Sequence, residues 1–350
     1  MQTFSNILVF HPAAIGDAML ATPVATTLKL NFPGAKLTYW THPQLKPILL
    51  GLCPAIDEIV DYNRDASIVE LCQTFAGLKC DLFVDLANSL KSHVITWFAH
   101  PRCTLRYVKE PANDRPIVHA VENFLDTVKP ICDQLPSPIF PTVFPDALVD
   151  QALEPFIQHE AIERTGLVGI VPGVGKIRPH RAWLEDGWHY LLQHILAWKT
   201  HLPVLIGGDD EQELCSRLNK SVGGQCLDVC GKLTLPLTAA VLKRCEVVVS
   251  GDTGPAHIAV AVGTKVIGLY GPTFPQRSGP YGCEELWLDQ SAACRCHSHK
   301  VCRFTHPDLS GECMRRIMLE EIIAKLKVAV PSIAVEEQTL LDAENTYETG

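Results

Sequence analysis

The sequence predicts an α/β protein built of two parallel-sheet halves, and three observations predict it. Short β-rich runs alternate with helical patterns, the signature of a parallel sheet covered by helices. That alternation runs through two series, separated by LPSPIFPTVFP at 135–145. Its prolines Pro136, Pro138, Pro141 and Pro145 exclude helix interior and make it an extended connection. The 350 residues, finally, suffice for two cores, at roughly 150 residues per domain.

In the first half a strand is expected at 7–10, a loop holding Pro12 and Gly16 follows, and a helix spans 17–31. Strands follow at 37–40, 58–61 and 81–85, with apolar periodic segments between them. The second half opens with a strand at 167–171, a Gly-rich loop and a helix at 188–198. Strands at 203–206, ending in Gly207-Gly208, and at 247–250, ending in Gly251, come next, and 266–270 closes the set. RIMLEEIIAKLKVA at 316–329 reads as an amphipathic helix. Residues 331–350 hold five acids and no Lys or Arg, the composition of a disordered tail. The domains expected are therefore 1–160, 161–330 and the tail.

The net charge of -9 speaks against a general nucleic-acid binder, which needs a basic face. The charge is unevenly spread: residues 1–160 carry 11 basic and 17 acidic side chains, and residues 161–330 carry 19 and 17. The second half is the only positive region, so anionic small ligands stay open. No apolar run approaches the roughly 18 residues of a spanning helix. The opening MQTFSNILVFHPAAIGDAML has no basic n-region, so it is not read as a signal peptide. Fourteen cysteines are spread along the chain. Cys53, Cys72, Cys80, Cys132, Cys215 and Cys245 lie in or beside apolar segments and read as small buried hydrophobes, as in a reduced, cytosolic protein.

Ligands of open α/β sheets bind beyond the carboxyl ends of the strands, so the loops there carry the candidate chemistry. His11–Asp17 has one glycine and matches neither the dinucleotide fingerprint nor the P-loop. Asp17 is either a helix N-terminal cap or a carboxylate held as a general base. In PGVGKIRPHRAW, from Pro172 to Trp183, two glycines precede clustered cations, an arrangement that wraps an anion or forms a solvated basic loop. Asp209, Asp210 and Glu211 follow Gly207-Gly208; acids favour a helix N-terminus anyway, and one of them suits ribose hydroxyls. The most specific loop is SGDTGPAH, 250–257: a strand enters a glycine turn, Thr253 is a cap candidate, and Pro255 fits a first helical turn. Small residues Ala256, Ala259, Ala261 and Gly263 let that helix approach the sheet closely. Its N-terminus suits a diphosphate, and His257 lies within one turn of it.

VVVSGDTGPAHIAVAVGTKVIGLYGPTFPQRSGPYG, the opening ILVFHPAAIGDAMLATPVATTLKLNFPGAKLTYWT, and RAWLEDGWHYLL and IGGDDEQEL between them resemble glycosyltransferase family 9, the bacterial heptosyltransferases. The resemblance runs from about residue 5 to 325 and is weakest over 60–160. It implies a GT-B fold: two Rossmann-like doubly wound domains facing across a cleft, the C-terminal helix returning to the first domain. It implies inverting, metal-independent transfer of heptose from ADP-heptose to a lipopolysaccharide-core acceptor. By position, Asp17 matches the base, Arg181 the basic phosphate ligand with Lys176 nearby, and Glu211 the acid near ribose. Asp252, Thr253, Gly254 and His257 match the donor loop. The loop His11-Pro12-Ala13-Ala14 departs from a pattern that often carries Arg or Ser, which opens the questions of sugar and acceptor. A protein O-heptosyltransferase and a non-catalytic nucleotide-sugar-binding module are the alternatives; the combination of Asp17 with a donor loop favours an enzyme.

Arg102, Arg106 and Lys109 lie in one short segment that forms either a solvated face or contacts with a phosphorylated, lipid-linked saccharide acceptor. The latter implies a peripheral enzyme on the inner face of the inner membrane. Cys294, Cys296, Cys302 and Cys313 lie within twenty residues of one another. They suit a structural zinc or iron site, buried thiols or a disulfide; family members often carry a cysteine segment here that takes no part in catalysis. No cofactor is required for the transfer itself. The oligomeric state is left open by the sequence.

Overall fold

The computed structural model describes residues 3–109, 117–148, 166–294, 302 and 311–333. The chain divides into two compact units, Met1–Phe144 and Pro145–Gly350. The division falls at the end of the proline-rich stretch, which is neither helix nor strand, and not at residue 160 as expected. Residues 146–148 are tied to the second unit, where Asp146 pairs with Lys243 at 2.6 Å.

The first unit is a five-stranded, all-parallel sheet of β1 (Asn6–Phe10), β2 (Lys36–Thr41), β3 (Glu58–Asp61), β4 (Leu82–Asp85) and β5 (Cys103–Arg106), in the order β3-β2-β1-β4-β5. Its helices are α1 (Ile15–Leu20), α2 (Thr22–Asn31), α3 (Lys46–Leu52), α4 (Ile68–Leu78), α5 (Leu90–Ala99) and α6 (Ala120–Asp126). The single helix expected at 17–31 is two. Pro23 has no N–H to continue the ladder, so the chain turns at Ala21 and the Thr22 hydroxyl donates to Met19 O at 2.8 Å. One face of the sheet is an aromatic core in which Phe10, Trp40, Tyr62, Phe75 and Phe83 pack at centroid distances of 4.9–6.5 Å.

The second unit is a six-stranded parallel sheet, β6 (Gly166–Val171), β7 (His201–Leu205), β8 (Leu227–Asp228), β9 (Val247–Gly251), β10 (Lys265–Tyr270) and β11 (Trp287–Asp289). Its order, β11-β10-β9-β6-β7-β8, is that of a complete Rossmann sheet. Its helices are α7 (Glu185–Ala197), α8 (Gln212–Ser221), α9 (Leu235–Arg244), α10 (Gly254–Ala261), α11 (Pro275–Ser278), α12 (Glu312–Arg315) and α13 (Leu319–Ala329). Trp183 packs edge-on to Trp188 and donates to Ile317 O at 3.1 Å. A Cβ on Gly187 would meet the Trp183 ring at 2.7 Å, so the RAWLEDGW run is dictated by one indole lying across a helix start. Ile322, Leu326 and Ala329 of α13 are buried in the second unit's core, where the helix meets α7 and β10. Its apolar stripe is thus used within its own unit.

Of the six cysteines read as buried, Cys53, Cys215 and Cys245 are buried; Cys72, Cys80 and Cys132 are half-buried. Ile333 is buried at the start of the acidic tail, and residues 334–350 lie outside the described residues. Among the described residues no helix is long and apolar enough to cross a membrane.

Candidate functional site

In both sheets the strand order reverses beside the first strand of the unit, between β1 and β4 and between β6 and β9. The loops leaving the carboxyl ends there are where a doubly wound sheet binds ligands. In the second unit these loops converge. A Cβ on Gly251, at the end of β9, would touch Val174 in the loop after β6 at 3.3 Å and approach the main chain of Arg181. Gly175 adopts φ +71°, a left-handed turn that glycine takes without strain.

Three side chains predicted separately meet in this place. The Arg181 guanidinium pairs with the Asp252 carboxylate at 2.7 Å and also donates to Asp252 O at 3.4 Å. His257 Nε2 stands 3.9 Å from the other carboxylate oxygen. All are nearly enclosed, the side chains retaining 10%, 12% and 5% exposure respectively. Burial alone would push the Asp252 carboxyl up, but His257, Arg181 and Thr273 outweigh it and hold the group below its ordinary value. Burial also pulls Arg181 down against the opposing pull of Asp252. Tyr270 closes the underside; its fully buried hydroxyl donates to Ser278 O at 3.2 Å and its pKa lies well above the usual tyrosine value. The Nε of Arg181 and the Nδ1 of His257 are buried without a partner among the described residues. Buried polar atoms left unpaired in this way are costly and call for a ligand or water.

Beside this cluster, Thr253 occupies the N-cap position of α10, with Pro255 in the first turn. Its hydroxyl does not cap the helix but lies 3.1 Å from the Ser250 hydroxyl. Gly254 opens the helix, so the main-chain N–H groups of the first turn carry its positive end. Ala256, Ala259 and Ala261 are buried, as close approach to the sheet requires.

The three acids after β7 part company. Asp209 and Asp210 are exposed, and Asp210 is taken by Lys176 at 2.5 Å. Glu211 folds back: its carboxylate accepts from Gly208 N at 2.9 Å, and its Cγ lies where a Cβ on Gly173 would be, at 2.0 Å. It is therefore the acid set against the loop after β6, and Gly173 is there to admit it. Lys176 is 77% exposed and lies at the rim.

In the first unit Asp17 is the third residue of α1 and exposed. The cap position belongs to Ala14, with no side-chain cap bond, which removes the capping reading. No hydrogen bond or ion pair among the described residues engages its carboxylate. Beneath it lies a residue that sequence reasoning passed over. His11 is 4% exposed, packs edge-on to Phe124 at 5.1 Å, and its Nδ1 is unpartnered. Burial lowers its pKa to about 4, with Asp17 pulling the other way, so the ring is neutral at pH 7. Its position after a strand on a loop marked only by Gly16 gave no chemical signal.

The proposed acceptor cations separate. Arg106 lies in β5 and is committed internally, to the fully buried Asp85 at 2.5 Å and to the Thr96 hydroxyl. Asp85 needs it, since the carboxylate otherwise accepts only from Ala87 N and Asn88 N. Arg102 is exposed over the Phe4 ring at 5.9 Å, and Lys109 is exposed. Of the cysteine cluster, Cys294 and Cys313 are buried in the second core with Cys302 packed against it; Cys296 lies outside the described residues. Cys313 Sγ lies 2.8 Å from the place of a Cβ on Gly271, so Cys313 packs against the loop after β10.

The family model for glycosyltransferase family 9 (heptosyltransferase) matches residues 68–307, over half the chain and including the whole Arg181–Asp252–His257 cluster. Asp17 lies outside that span. Lipooligosaccharide heptosyltransferase 2 of Haemophilus influenzae is 27% identical over 303 residues, covering 79% of this chain and 86% of that protein. A family 9 glycosyltransferase from Veillonella parvula shares the fold with a TM-score of 0.76 at 19% identity, over 94% of this chain and 98% of the other. The E. coli ADP-heptose lps heptosyltransferase II does so with a TM-score of 0.72 at 19% identity, over 95% and 99%. Two parallel α/β sheets in this order, with these matches, establish two Rossmann-like domains of the GT-B type. The chain belongs to glycosyltransferase family 9, the heptosyltransferases, and is a glycosyltransferase.

Proposed function

We propose that the protein transfers a heptose from ADP-heptose to a lipopolysaccharide-core saccharide, with inversion and without a catalytic metal. The observation that carries this reading is the buried Arg181–Asp252–His257 cluster beside the N-terminus of α10. A diphosphate there meets main-chain N–H groups, the helix dipole and the guanidinium, and it satisfies the unpartnered Arg181 Nε donor. Glu211, rather than Asp209 or Asp210, is the acid for the ribose hydroxyls, because it alone turns in against the loop after β6. Lys176 adds a point charge at the rim.

The reaction is a single displacement. The acceptor hydroxyl oxygen attacks the anomeric carbon as its proton passes to the Asp17 carboxylate. The bond from that carbon to the β-phosphate oxygen breaks, and ADP leaves with the electron pair. Charge developing on the leaving phosphate is stabilised where donors are already fixed, at α10 and Arg181. Asp252 acts behind the contact surface: its carboxylate holds Arg181 and His257 in place. The chemistry asks nothing of a metal at the cysteine segment, and Cys294 and Cys313 serve there as core packing. Stoichiometric zinc or iron in protein purified without a histidine tag would assign them instead to a structural metal.

ADP release on mixing the protein, ADP-heptose and deacylated lipopolysaccharide core tests the reading. Release that depends on the acceptor supports it; ADP-heptose that neither binds nor turns over would overturn it. The lipid-borne acceptor places the enzyme on the cytoplasmic face of the inner membrane as a peripheral protein.

A further inference from the structure

Helix α5 is patterned against the usual rule. Its inward face carries Ser92, Ile95 and Thr96, all buried, with Thr96 bonded to Arg106 and to the main chain. Its outward face carries Leu90, Trp97 and Phe98, exposed by 83%, 68% and 61%, with half-buried Val94 between them. The spacing 90, 94, 97, 98 is that of one helical stripe, the spacing that elsewhere marks the face turned to a core. The Trp97 and Phe98 rings meet edge-on at 4.7 Å, so the apolar surface is continuous. The neighbouring α4 adds exposed Ile68 and Val69 at its start.

The charges on α5 itself have one sign. Between Asp85, which is fully buried, and Glu110 the sequence contains no acid. Lys91 and His93 flank the stripe on α5 itself, and exposed His100 and Arg102 follow its end. Lys91 reaches back to Arg64 O at 2.9 Å, while Glu70 of α4 is turned onto Ser67 as its capping partner. A helix whose own charges are all basic around exposed Trp and Phe, in a chain of net charge -9, complements a negatively charged surface with an apolar interior. Lys and Arg stems bury while their heads stay wet, and Trp suits the headgroup level.

We infer that the outward face of α5 docks the enzyme on an anionic lipid bilayer, with Leu90, Trp97 and Phe98 inserted at the acyl boundary and Lys91 and Arg102 among the headgroups. Such interfacial binding grows with buried apolar area and with attraction to anionic lipid. The inference deepens the proposed reading by naming the surface that meets a lipid-borne acceptor. Binding measured without any sugar substrate keeps its failure separate from failure of that reading.

The test is co-sedimentation of the full chain with vesicles of phosphatidylcholine alone and of equal parts phosphatidylcholine and phosphatidylglycerol. The wild type binds the anionic vesicles, and added salt weakens the binding. The double variant Trp97→Ser/Phe98→Ser loses roughly tenfold or more in partitioning, with unchanged thermal unfolding and unchanged turnover on soluble acceptor. Lys91→Glu weakens binding to anionic vesicles only. Wild type that ignores anionic vesicles, or a double variant that binds as well, overturns the inference. So does a double variant that falls from an oligomer to a smaller species, since the face is then covered by a second copy of the chain.

Discussion

Two aspartates follow strands at the reversal points of the two sheets, and the molecule treats them in opposite ways. Asp17, after β1, is exposed and engaged by no hydrogen bond or ion pair among the described residues. Asp252, after β9, is nearly enclosed, paired with Arg181 and faced by His257. A carboxylate that accepts a proton needs open lone pairs and access; one that fixes cations needs partners and burial. On the proposed reading, one residue type at the reversal points of two Rossmann sheets serves two roles, and the surroundings assign them.

The largest effect expected is on turnover. Asp17→Asn removes the proton acceptor and lowers the rate of ADP formation by about 10²–10⁴-fold, with thermal unfolding unchanged; a rate near wild type would dissolve the contrast. Asp252→Ala acts first on stability. It leaves the Arg181 guanidinium buried without its counter-charge, a loss of about 3–5 kcal/mol by denaturant unfolding. Asp252→Asn, which still accepts hydrogen bonds, loses less, and equal losses would reduce Asp252 to packing.

His11 sharpens the comparison through pH. Its folded pKa of about 4 lies below the ordinary 6.5, so the ring is neutral in both states above pH 6.5 and stability there is at its full value. As pH falls from 6.5 towards 4, the unfolded chain binds a proton that the folded chain refuses. Stability falls by about 3 kcal/mol across that window. In His11→Asn this part of the slope disappears, whatever the variant's stability at neutral pH; an unchanged slope would place the titration elsewhere.

Gly173→Ala puts a methyl group into the Cγ of Glu211 and displaces that carboxylate. Donor affinity drops about tenfold, the value of one charge-assisted hydrogen bond, while the fold holds. Lys176→Ala is the mildest: its pair with Asp210 is exposed and screened by solvent, and thermal unfolding stays at the wild-type temperature.

Interior strands and the loops at their carboxyl ends were legible in the sequence because apolar runs ending in Gly or Asp have one reading when both faces are covered. Edge strands were less so. β5, β8 and β11 all lie at sheet edges and were passed over, since a short strand with one open side needs no apolar run. β5 concealed Arg106, whose charge read as a solvated face or an acceptor contact although its buried partner Asp85 lies 21 residues away. Asp252 was read as part of the proposed donor loop, but its pairing with Arg181 joins positions 71 apart. Nothing local announces such a pair. The choice of Glu211 among three acids likewise awaited the packing of Gly173.

The contrast between the two aspartates is tested most directly by calorimetric titration of ADP-heptose into Asp17→Asn and Asp252→Asn side by side. The account predicts wild-type affinity in the first and weakened affinity in the second, where Arg181 and His257 lose their charged anchor. Weakened binding in Asp17→Asn with intact binding in Asp252→Asn would contradict it, by exchanging the two roles.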